Sequence, residues 1–475
     1  MSNRSWILAA ILAAVALLVL GWGYLYTPEP ATVAVPGGGA DYEEVIAFTN
    51  VHVVPMDQER VVRDQTVIVG DGRIVAIGAA GAAELPPTAT IVDGEGGYLL
   101  PGLAEMHAHV PPSEDPPREE LEEILFLFVA NGVTTMRGML GAPYQLDLRE
   151  EIRRGETLGP DFYVGAPSIN GNTAPTPAAV DSLVRAHQAA GYDLLKIHPG
   201  VSLEVWDRMV QVAREVGITY AGHVPTEVGI HHAIETGMST VDHFDGFLQA
   251  TRLEGVEPGS RTELYQATDH EALEALAQEA AEHGVWQVPT QYLWNHLNGY
   301  VNPDEILALE EFRYIPPQLR ASYRERADNN RNNPEITPES HAAHAEMRQA
   351  FLAASHRAGV PILMGTDSPQ LFNVPGFALH REIPLMEDAG MSPYEVLLTG
   401  TRLVAQYVEE DLGGEGDFGT VEPGKRANLI LLERNPLEDL GALEDRIGVM
   451  VGGVWLPRAE IEARLDAIAA RYAGN

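Results

Sequence analysis

Two histidines separated by one residue, His107 and His109, stand in the stretch EMHAHV. If this stretch ends a β-strand, side chains two residues apart point to the same face, so both imidazoles can bind one metal ion. An HxH pair alone is weak evidence for such a site. Four further polar residues end later apolar runs: Lys196 in LLKIH, His223 in YAGHV, His243 in VDHFDG and Asp367 in MGTDSP. We therefore interpret these six residues as one candidate metal site.

Lys196 is one of only two lysines in the chain, the other being Lys425, although lysine and arginine together number 31. Arginine supplies a surface cation as well as lysine does, whereas a site that needs a primary amine cannot accept arginine. Lys425 lies in a Pro-Gly turn, where a solvated charge explains it. Lys196 is thus a candidate for chemistry, and a substrate-carboxylate anchor or a buried ion pair is the alternative role.

The elements that must position these residues alternate along the chain. Apolar strands ending in polar residues alternate with helical stretches, and eight strands can be counted from LLPGLAEMHAHV to PILMGTDSP. Eight strand-helix units over roughly 300 residues are typical of an α/β fold, the (β/α)8 TIM barrel, whose catalytic groups come from the C-terminal ends of several strands. A doubly wound open sheet competes, but no glycine-rich phosphate loop follows a first strand. We predict the barrel over residues 99–412.

The segments on either side of the barrel share another pattern. Short alternating runs separated by Asp-Gly and Gly turns occupy residues 42–98, and the pattern returns at 413–457. It predicts one small β-sandwich of discontinuous sequence, followed by an amphipathic helix at 458–475. A long charged helical insertion between the seventh strand and Pro361 is interpreted as a lid or specificity element or, equally, as a solvated surface extension.

The N-terminal residues 6–26 are uncharged, apolar and long enough to cross a bilayer. Arg4 precedes them and acidic residues follow, so the positive-inside rule places the rest of the chain outside the cytoplasm. We predict a transmembrane helix that anchors the protein in the membrane at residues 1–27, a Pro/Gly-rich linker at 28–41 and a periplasmic catalytic domain. A cleaved signal peptide, which would make the protein secreted, is the alternative.

The composition excludes several classes of function. The 475 residues include 68 acidic and 31 basic side chains, and the net charge of −37 would repel a nucleic-acid backbone. The absence of cysteine excludes disulfides, thiolate metal sites and cysteine nucleophiles. The expected partners are a small-molecule or dipeptide substrate and the membrane. No pattern decides between a monomer and a homo-oligomer.

Taken together, the motifs resemble the amidohydrolase superfamily of metal-dependent hydrolases, and within it the imidazolonepropionase-like and prolidase-like group. The resemblance rests on LPGLAEMHAHV, GVTTMRG, GVPILMGTDSP, AGMSPYEVLLTGT and GTVEPGKRANLILLERNPLEDL. It implies two divalent ions, zinc first, with manganese, iron or cobalt as alternatives. The implied ligands are His107, His109 and Asp367 for the more buried ion, His223 and His243 for the second, and a CO2-derived carbamate on Lys196 bridging both.

The same resemblance implies hydrolysis of an amide bond by a hydroxide that bridges the two ions. Asp367 would take the proton of this nucleophile and pass it to the leaving amine. A lysine ammonium would be repelled by the ions, whereas its carbamate is an anion with two hard oxygens. The expected activity is that of a dipeptidase or prolidase-like carboxypeptidase. The alternatives are a hydrolase of a cyclic amide, a lactone or another carbonyl compound, and a catalytically inactive, metal-bound anchored binding protein.

Other polar residues are assigned less specific roles. Four lie at or just beyond strand ends and are candidates for substrate contact or, equally, for supporting hydrogen bonds: Arg137, His198, Tyr292 and His296. Of these, Arg137 and His198 are the candidate partners of a substrate carboxylate. Four further histidines are interpreted as surface residues: His231, His232, His341 and His344. Where relatives show ATxNxA after SPYE, this chain has LTGTRLVAQYV, which loses an asparagine but none of the proposed ligands.

Overall fold

The structure, a computed structural model, describes residues 33–34, 42–113 and 115–473. The membrane anchor predicted at residues 1–27 lies outside these ranges, as does almost all of the predicted linker. Among the helices that the structure describes, none combines the length and apolar character needed to span a bilayer.

The strands divide between a barrel and a separate sheet. In chain order they are β1 (Val33–Ala34), β2 (Val45–Val53), β3 (Val62–Gly70), β4 (Arg73–Ala79), β5 (Ala83–Glu84), β6 (Thr90–Asp93), β7 (Tyr98–Pro101), β8 (Leu103–Ala108), β9 (Val133–Gly138), β10 (Asp161–Val164), β11 (Leu194–Ile197), β12 (Thr219–Gly222), β13 (Thr240–Asp242), β14 (Trp286–Val288), β15 (Leu429–Leu432), β16 (Arg446–Val451) and β17 (Val454–Pro457). The sheet passes into the barrel at Gly102, between β7 and β8.

The barrel is closed by seven parallel strands and one extended segment. Strands β8 to β10 and β11 to β14 form two hydrogen-bonded groups, which a bridge between Gly165 and Leu194 joins. Residues 361–368 fill the eighth position, since Ile362 pairs with β14 and Ser368 pairs with the end of β8. Strands β8 and β9 are buried along their whole length, as expected for parallel strands covered on both faces. The predicted TIM barrel is therefore present.

The remaining main strands form one sheet from both ends of the chain. Its order is β17-β16-β15-β7-β2-β3-β4, with β6 paired to β2, and the antiparallel pair of β7 and β15 joins the two sequence segments. The sequence predicts a sandwich, whereas the strands form a single curled sheet. The curl arises because the start of β4 bridges to Arg426, which precedes β15, so the sheet encloses an apolar core that includes Phe48 and Leu429.

The helices mostly follow barrel strands and cover the barrel. They are α1 (Arg118–Ala130), α2 (Tyr144–Arg153), α3 (Pro177–Ala190), α4 (Leu203–Val216), α5 (Ile230–Glu235), α6 (Phe247–Ala250), α7 (Arg261–Gln266), α8 (His270–Glu282), α9 (Gln291–Leu297), α10 (Pro303–Ile306), α11 (Pro317–Asn332), α12 (Pro338–Ala358), α13 (Phe377–Asp388), α14 (Pro393–Thr399), α15 (Arg402–Glu410) and α16 (Arg458–Ala473). Two short 3-10 helices span Glu310–Tyr314 and Leu440–Glu444.

Helix α12 is the longest helix of the insertion and is firmly delimited. It begins at a capping box in which Thr337 and Ser340 exchange side-chain and backbone hydrogen bonds, with Pro338 in the first turn. It ends at Gly359, whose φ of 76° favours glycine. One face of α12 is buried and packs on α7, α8 and α9. This part of the insertion is therefore integrated with the barrel and is not a solvated extension.

Candidate metal centre

Three of the six predicted ligands face one another at the mouth of the barrel. His107 lies in β8, His109 follows that strand, and Asp367 lies at the end of the eighth segment. Nε2 of His109 lies 2.6 Å from Oδ1 of Asp367, and Nε2 of His107 lies 3.7 Å from the same oxygen. One ligand atom of each residue fits within a span of 4.8 Å, a spacing that allows all three to share one ion.

The other three predicted ligands continue this group across the mouth. Nε2 of His243 lies 3.6 Å from Oδ2 of Asp367, so this carboxylate stands between imidazoles on two sides. The ring centroid of His223 lies 4.7 Å from that of His243, and Nζ of Lys196 lies 3.5 Å from Nε2 of His107. The six side chains form one continuous cluster at the C-terminal ends of several barrel strands.

Two of the imidazoles are held from behind by carboxylates. Oδ2 of Asp245 lies 2.7 Å from Nδ1 of His223 in a hydrogen bond, and Oδ2 of Asp242 lies 2.9 Å from Nδ1 of His107 at ion-pair distance but without hydrogen-bond geometry. A histidine that binds a metal through one nitrogen is usually oriented by an acceptor at the other. Both contacts therefore leave Nε2 as the nitrogen available to the cluster.

His243 is oriented in the same way by Thr290, whose Oγ1 lies 2.7 Å from Nδ1. Nε2 of His243 is fully enclosed and has no hydrogen-bond partner within the part of the chain that the structure describes. A buried polar atom without a partner costs stability, so this nitrogen calls for a ligand at the cluster. A divalent cation beside a carboxylate and neutral imidazoles meets that need, so the residues present fit the metal pair that the resemblance implies.

Three residues of the cluster, His107, His243 and Asp367, are held in the protonation state that binds metal. Burial lowers the pKa of His107 and of His243 well below the usual value, so both rings are neutral at pH 7. Burial alone would raise the pKa of Asp367, but the His107 and His109 imidazoles hold it below its usual range. Metal ligands must be deprotonated, and these groups already are.

Lys196 is entirely enclosed in the barrel, with an exposed fraction of 0%. Burial lowers the pKa of its amine, although Asp242 and Asp367 oppose the effect. A lowered pKa increases the fraction of neutral amine, the form whose lone pair can add CO2. Gly222 lies against this amine, since a Cβ atom at that position would come within 3.0 Å of Nζ. The barrel therefore favours a neutral, reactive amine. Because residue 222 is a glycine, the space beside the amine is not filled by a side chain.

The backbone is strained in the loops that carry two of the ligands. The angle φ is 66° at His243 and 65° at Asp367, and it is also positive at Phe244 and Thr290. Non-glycine residues rarely adopt this left-handed conformation, which costs about 1–3 kcal/mol per residue. Because such strain concentrates at functional sites, its position supports the assignment of the cluster as the site.

Arg137 occupies a place that agrees with supporting hydrogen bonds, one of the two roles that the sequence leaves open, and not with substrate contact. Its guanidinium is wholly enclosed among the barrel strands and donates to the Met106 carbonyl at 2.7 Å and to the Tyr407 hydroxyl at 2.8 Å. Nη2 lies 3.4 Å from Oδ1 of Asp242. This placement suits a residue that positions Asp242, and through it His107, rather than one that meets a ligand entering from the mouth.

The other three predicted substrate contacts occupy two environments. The ring centroid of His198 lies 5.2 Å from that of His223, and His198 lines an open cleft with serine and asparagine side chains. Tyr292 and His296 pack on each other with ring centroids 4.3 Å apart, and neither lines the two cavities that adjoin the cluster. Of the four predicted contacts, the structure brings only His198 to an open surface beside the proposed ligands.

The histidines interpreted as surface residues also divide. His231 and His232 are at the surface, and each is 2.7 Å from an acidic side chain. His341 is half-buried. His344 is only 7% exposed and packs on Tyr265 with ring centroids 4.8 Å apart, so the surface interpretation is wrong for this residue. The reason is that the face of α12 that carries His344 is turned toward the barrel.

Sequence reasoning missed the residues that orient the ligands. Asp242 and Asp245 flank His243 in VDHFDG, so acidic residues next to a strand-end histidine were an available signal. Arg348 in α12 is different: it donates to the His243 carbonyl at 2.9 Å and to the Pro289 carbonyl at 2.7 Å. Nothing in the charged sequence around Arg348 distinguishes it from the surface arginines nearby.

Comparison with curated proteins places the chain among enzymes. The model of the Amidohydrolase family matches residues 98–456. The imidazolonepropionase of Stenotrophomonas maltophilia (strain R551-3) is 29% identical over 207 residues, which are 42% of this chain and 44% of that protein. The adenine deaminase of Chelativorans sp. (strain BNC1) is 24% identical over 395 residues, 82% of this chain and 54% of that protein. The chain thus spans about half the length of the curated relatives it matches.

Solved structures show the same fold. A putative prolidase from Bifidobacterium longum has a TM-score of 0.65 and 24% identity, covering 90% of this chain and 99% of that one. The bottromycin amidohydrolase has a TM-score of 0.70 and 23% identity, covering 92% of each chain. At these identities the likeness concerns the fold alone. Because the family match at residues 98–456 spans the barrel and all six predicted ligands, the chain belongs to the amidohydrolase family.

Proposed function

We propose that this protein hydrolyses an amide bond of a small molecule with the help of two divalent metal ions. One observation carries the proposal: the group formed by His107, His109 and Asp367 adjoins the unpartnered Nε2 of His243 and the enclosed amine of Lys196. A purely structural site closes its coordination shell with protein ligands, whereas a catalytic site keeps a position open beside a cleft. This contrast favours catalysis over the alternative of an inactive, metal-bound binding protein.

The proposed ligands follow the geometry of the cluster and the family resemblance. They are His107, His109 and Asp367 for the more buried ion, His223 and His243 for the second, and a carbamate on Lys196 for both. Neutral imidazoles and carboxylates suit zinc first, and also manganese, iron and cobalt. When bound, such ions lower the pKa of water and polarise a carbonyl group.

Asp367 is the proposed general base and general acid. The His107 and His109 imidazoles hold its pKa low against the opposing effect of burial, so the carboxylate is ionised at neutral pH. It orients the attacking water, accepts a proton at a carboxylate oxygen and returns that proton to the nitrogen of the leaving amine as the amide C–N bond breaks. Asp242, Asp245 and Thr290 hold the surrounding imidazoles in place for this exchange.

A dipeptide is the first proposed substrate class, on the analogy of the prolidase whose fold this chain shares. A cyclic amide is the second, supported by the similarity to imidazolonepropionase and by one structural observation. Arg137 is enclosed and bonded to protein acceptors, so it is poorly placed to bind the free carboxylate of a dipeptide. His198 is then the remaining predicted carboxylate partner beside the cluster.

We also propose that residues 6–26 anchor the protein in the membrane with the barrel on the periplasmic side. The support is the apolar run preceded by Arg4 and followed by acidic residues. Fractionation of cells that express the full chain tests this proposal, with a protease added to spheroplasts. Protein that stays with carbonate-washed membranes and is cleaved from outside supports it. Intact protein in the soluble fraction contradicts it.

The test of the activity is a substrate panel on chelator-treated protein to which zinc, manganese or cobalt is returned. The panel holds dipeptides, the same dipeptides as C-terminal amides, N-acyl amino acids, cyclic amides and lactones. Metal-dependent turnover of dipeptides, lost in their C-terminal amides, supports the prolidase-like activity. Turnover of cyclic amides or lactones supports the second class. Tight binding without turnover across the panel would identify an inactive binding protein and overturn the proposal.

A further inference from the structure

A cavity of about 490 Å³ opens directly beside the proposed metal ligands. His243 and the adjoining Phe244 form part of its wall, so a group attached to a carbonyl at the cluster can extend into it. Its size lies within the range of about 300–1,000 Å³ that small-molecule sites occupy. The loops after β12 and β13 contribute one side, and Trp294 of α9 another.

Helix α12 supplies the far wall of this cavity. Four of its residues face the space at positions i, i+3, i+4 and i+7, the spacing that brings side chains onto one helical face: His344, Met347, Arg348 and Phe351. Tyr265 of α7 packs on His344 and completes this wall. The cavity is therefore lined largely by aromatic and aliphatic side chains from two different parts of the chain.

Most polar atoms of the charged groups in the lining already have partners, although Nε of Arg348 has none among the described residues. Both Nη atoms of Arg348 donate to backbone carbonyls, at 2.9 Å and 2.7 Å. Asp245 lies 2.7 Å from His223, and His231 lies 2.7 Å from Glu279 outside the cavity. An ionised substrate group placed here would exchange its hydration for a largely apolar wall with few free hydrogen-bonding groups, which is costly.

We propose that this cavity receives a bulky uncharged group of the substrate, with an aromatic ring as the preferred occupant. The inference rests on the proposed amide hydrolysis and adds the substrate class to it. The open cleft lined by His198 and by asparagine side chains on the other side of Pro199 offers polar partners instead. The two spaces thus give the mouth an apolar side and a polar side, and an amide with one aromatic substituent matches both.

The test compares amides that differ in one substituent. Dipeptides with alanine, phenylalanine or glutamate in either position are assayed with metal-loaded full chain. One position should show at least about a 10-fold higher kcat/KM for phenylalanine than for alanine, and a lower value for glutamate. Equal rates for the three, or a preference for glutamate in both positions, would overturn the proposal.

A variant that narrows the cavity sharpens the test. Leu248 in α6 lines the cavity, whereas Leu253 a few residues later is 40% exposed and lies outside it. Leu248→Trp should reduce the phenylalanine-to-alanine ratio to near 1, and Leu253→Trp should leave that ratio unchanged. If Leu248→Trp does not fold, the smaller change Leu248→Phe should lower the ratio in the same direction. A ratio unaffected by both Leu248 variants would contradict the assignment.

Binding separates this inference from the proposed reaction. If no dipeptide is hydrolysed, the affinities of N-acetylphenylalanine amide and N-acetylalanine amide are measured by calorimetry on the same metal-loaded protein. Binding at least about 10-fold tighter for the phenylalanine compound, lost in Leu248→Trp, would uphold the apolar cavity while the hydrolytic activity fails. Equal affinities would show that the cavity does not select an aromatic group, whether or not the protein hydrolyses amides.

Discussion

The metal cluster and the apolar cavity meet at His243 but are built in different ways. The cluster is assembled from residues at strand ends. The backbone is strained at His243 and Asp367, and the carboxylates of Asp242 and Asp245 lie against two of the imidazoles. The cavity is walled by helices, above all by one face of α12, and its lining is largely aromatic and aliphatic. Under the proposed function, the barrel fixes the chemistry and the insertion helps to select the substrate.

Arg348 is the point at which the two regions are joined. It lies on α12 in the cavity wall, yet it holds the backbone carbonyl of His243 in the cluster. Variants on the cluster side should therefore change catalysis and stability most, and variants on the α12 side should have smaller and more selective effects.

The largest effect is expected for Asp367→Asn. This change removes the proposed general base and weakens a metal ligand while keeping the size of the side chain. We expect kcat on the best substrate of the panel to fall at least about 1,000-fold. Asp388→Asn, an exposed aspartate at the end of α13, is the matched control and should change kcat less than about 2-fold. If kcat falls only slightly in Asp367→Asn, another residue must be the general base.

A large loss of stability is expected for Arg137→Met. The change leaves Asp242 buried beside His107 without its cationic neighbour, and breaking such a pair costs about 3 kcal/mol or more. The free energy of unfolding in urea measures this effect. Arg154→Met, which removes an exposed arginine paired with Glu156, should leave that energy almost unchanged. Equal effects for both variants would show that Arg137 does not support the cluster.

A selective effect is expected for Arg348→Met. Loss of the two hydrogen bonds to the carbonyls of His243 and Pro289 frees the strained loop that presents His243. We expect the affinity for one of the two ions to fall roughly 10- to 100-fold, while the other ion stays bound. A competition titration with a coloured chelator resolves the two steps. Loss of both ions together would show that Arg348 stabilises the fold as a whole and not the position of His243 alone.

The smallest effect concerns acid stability and His344. Burial lowers the pKa of His344 to about 3, so between pH 6.5 and that value the unfolded chain binds a proton that the folded chain does not. Stability is therefore lost as the pH falls, and this histidine accounts for about 1 kcal/mol of the loss at pH 5.5. His344→Phe should reduce the difference in unfolding free energy between pH 8 and pH 5.5 by that amount. The exposed His283→Phe serves as the control and should leave the difference unchanged.

The barrel and the clustering of the six candidate ligand side chains could be predicted because parallel strands leave a regular signature. A buried run followed by His, Lys or Asp fixes both the element and the end from which the side chain emerges, as with Lys196 and His243. The same reasoning could not choose between the two roles left open for Arg137, because a strand-end residue can turn inward among the strands as well as outward to the mouth. The curled single sheet also escaped prediction, because alternation shows which residues face a core but not how many sheets enclose it.

The cavity wall could not be predicted for a different reason. The stretch around His344 and Arg348 is rich in charge, and its burial follows from where the barrel happens to place α12. Only the three-dimensional contact with α7 and α9 shows that its face is turned inward. Asp242 and Asp245 are an intermediate case. The sequence shows that acidic residues flank His243, but it does not show which histidines they contact.

The central claim is that Lys196 belongs to a two-metal site, and the metal content per chain tests it most directly. Elemental mass spectrometry is applied to the wild type, to Lys196→Ala and to Lys425→Ala, the change at the only other lysine. The account predicts two ions in the wild type and in Lys425→Ala, with loss of metal in Lys196→Ala that short carboxylic acids partly restore. One ion in all three proteins would contradict the account.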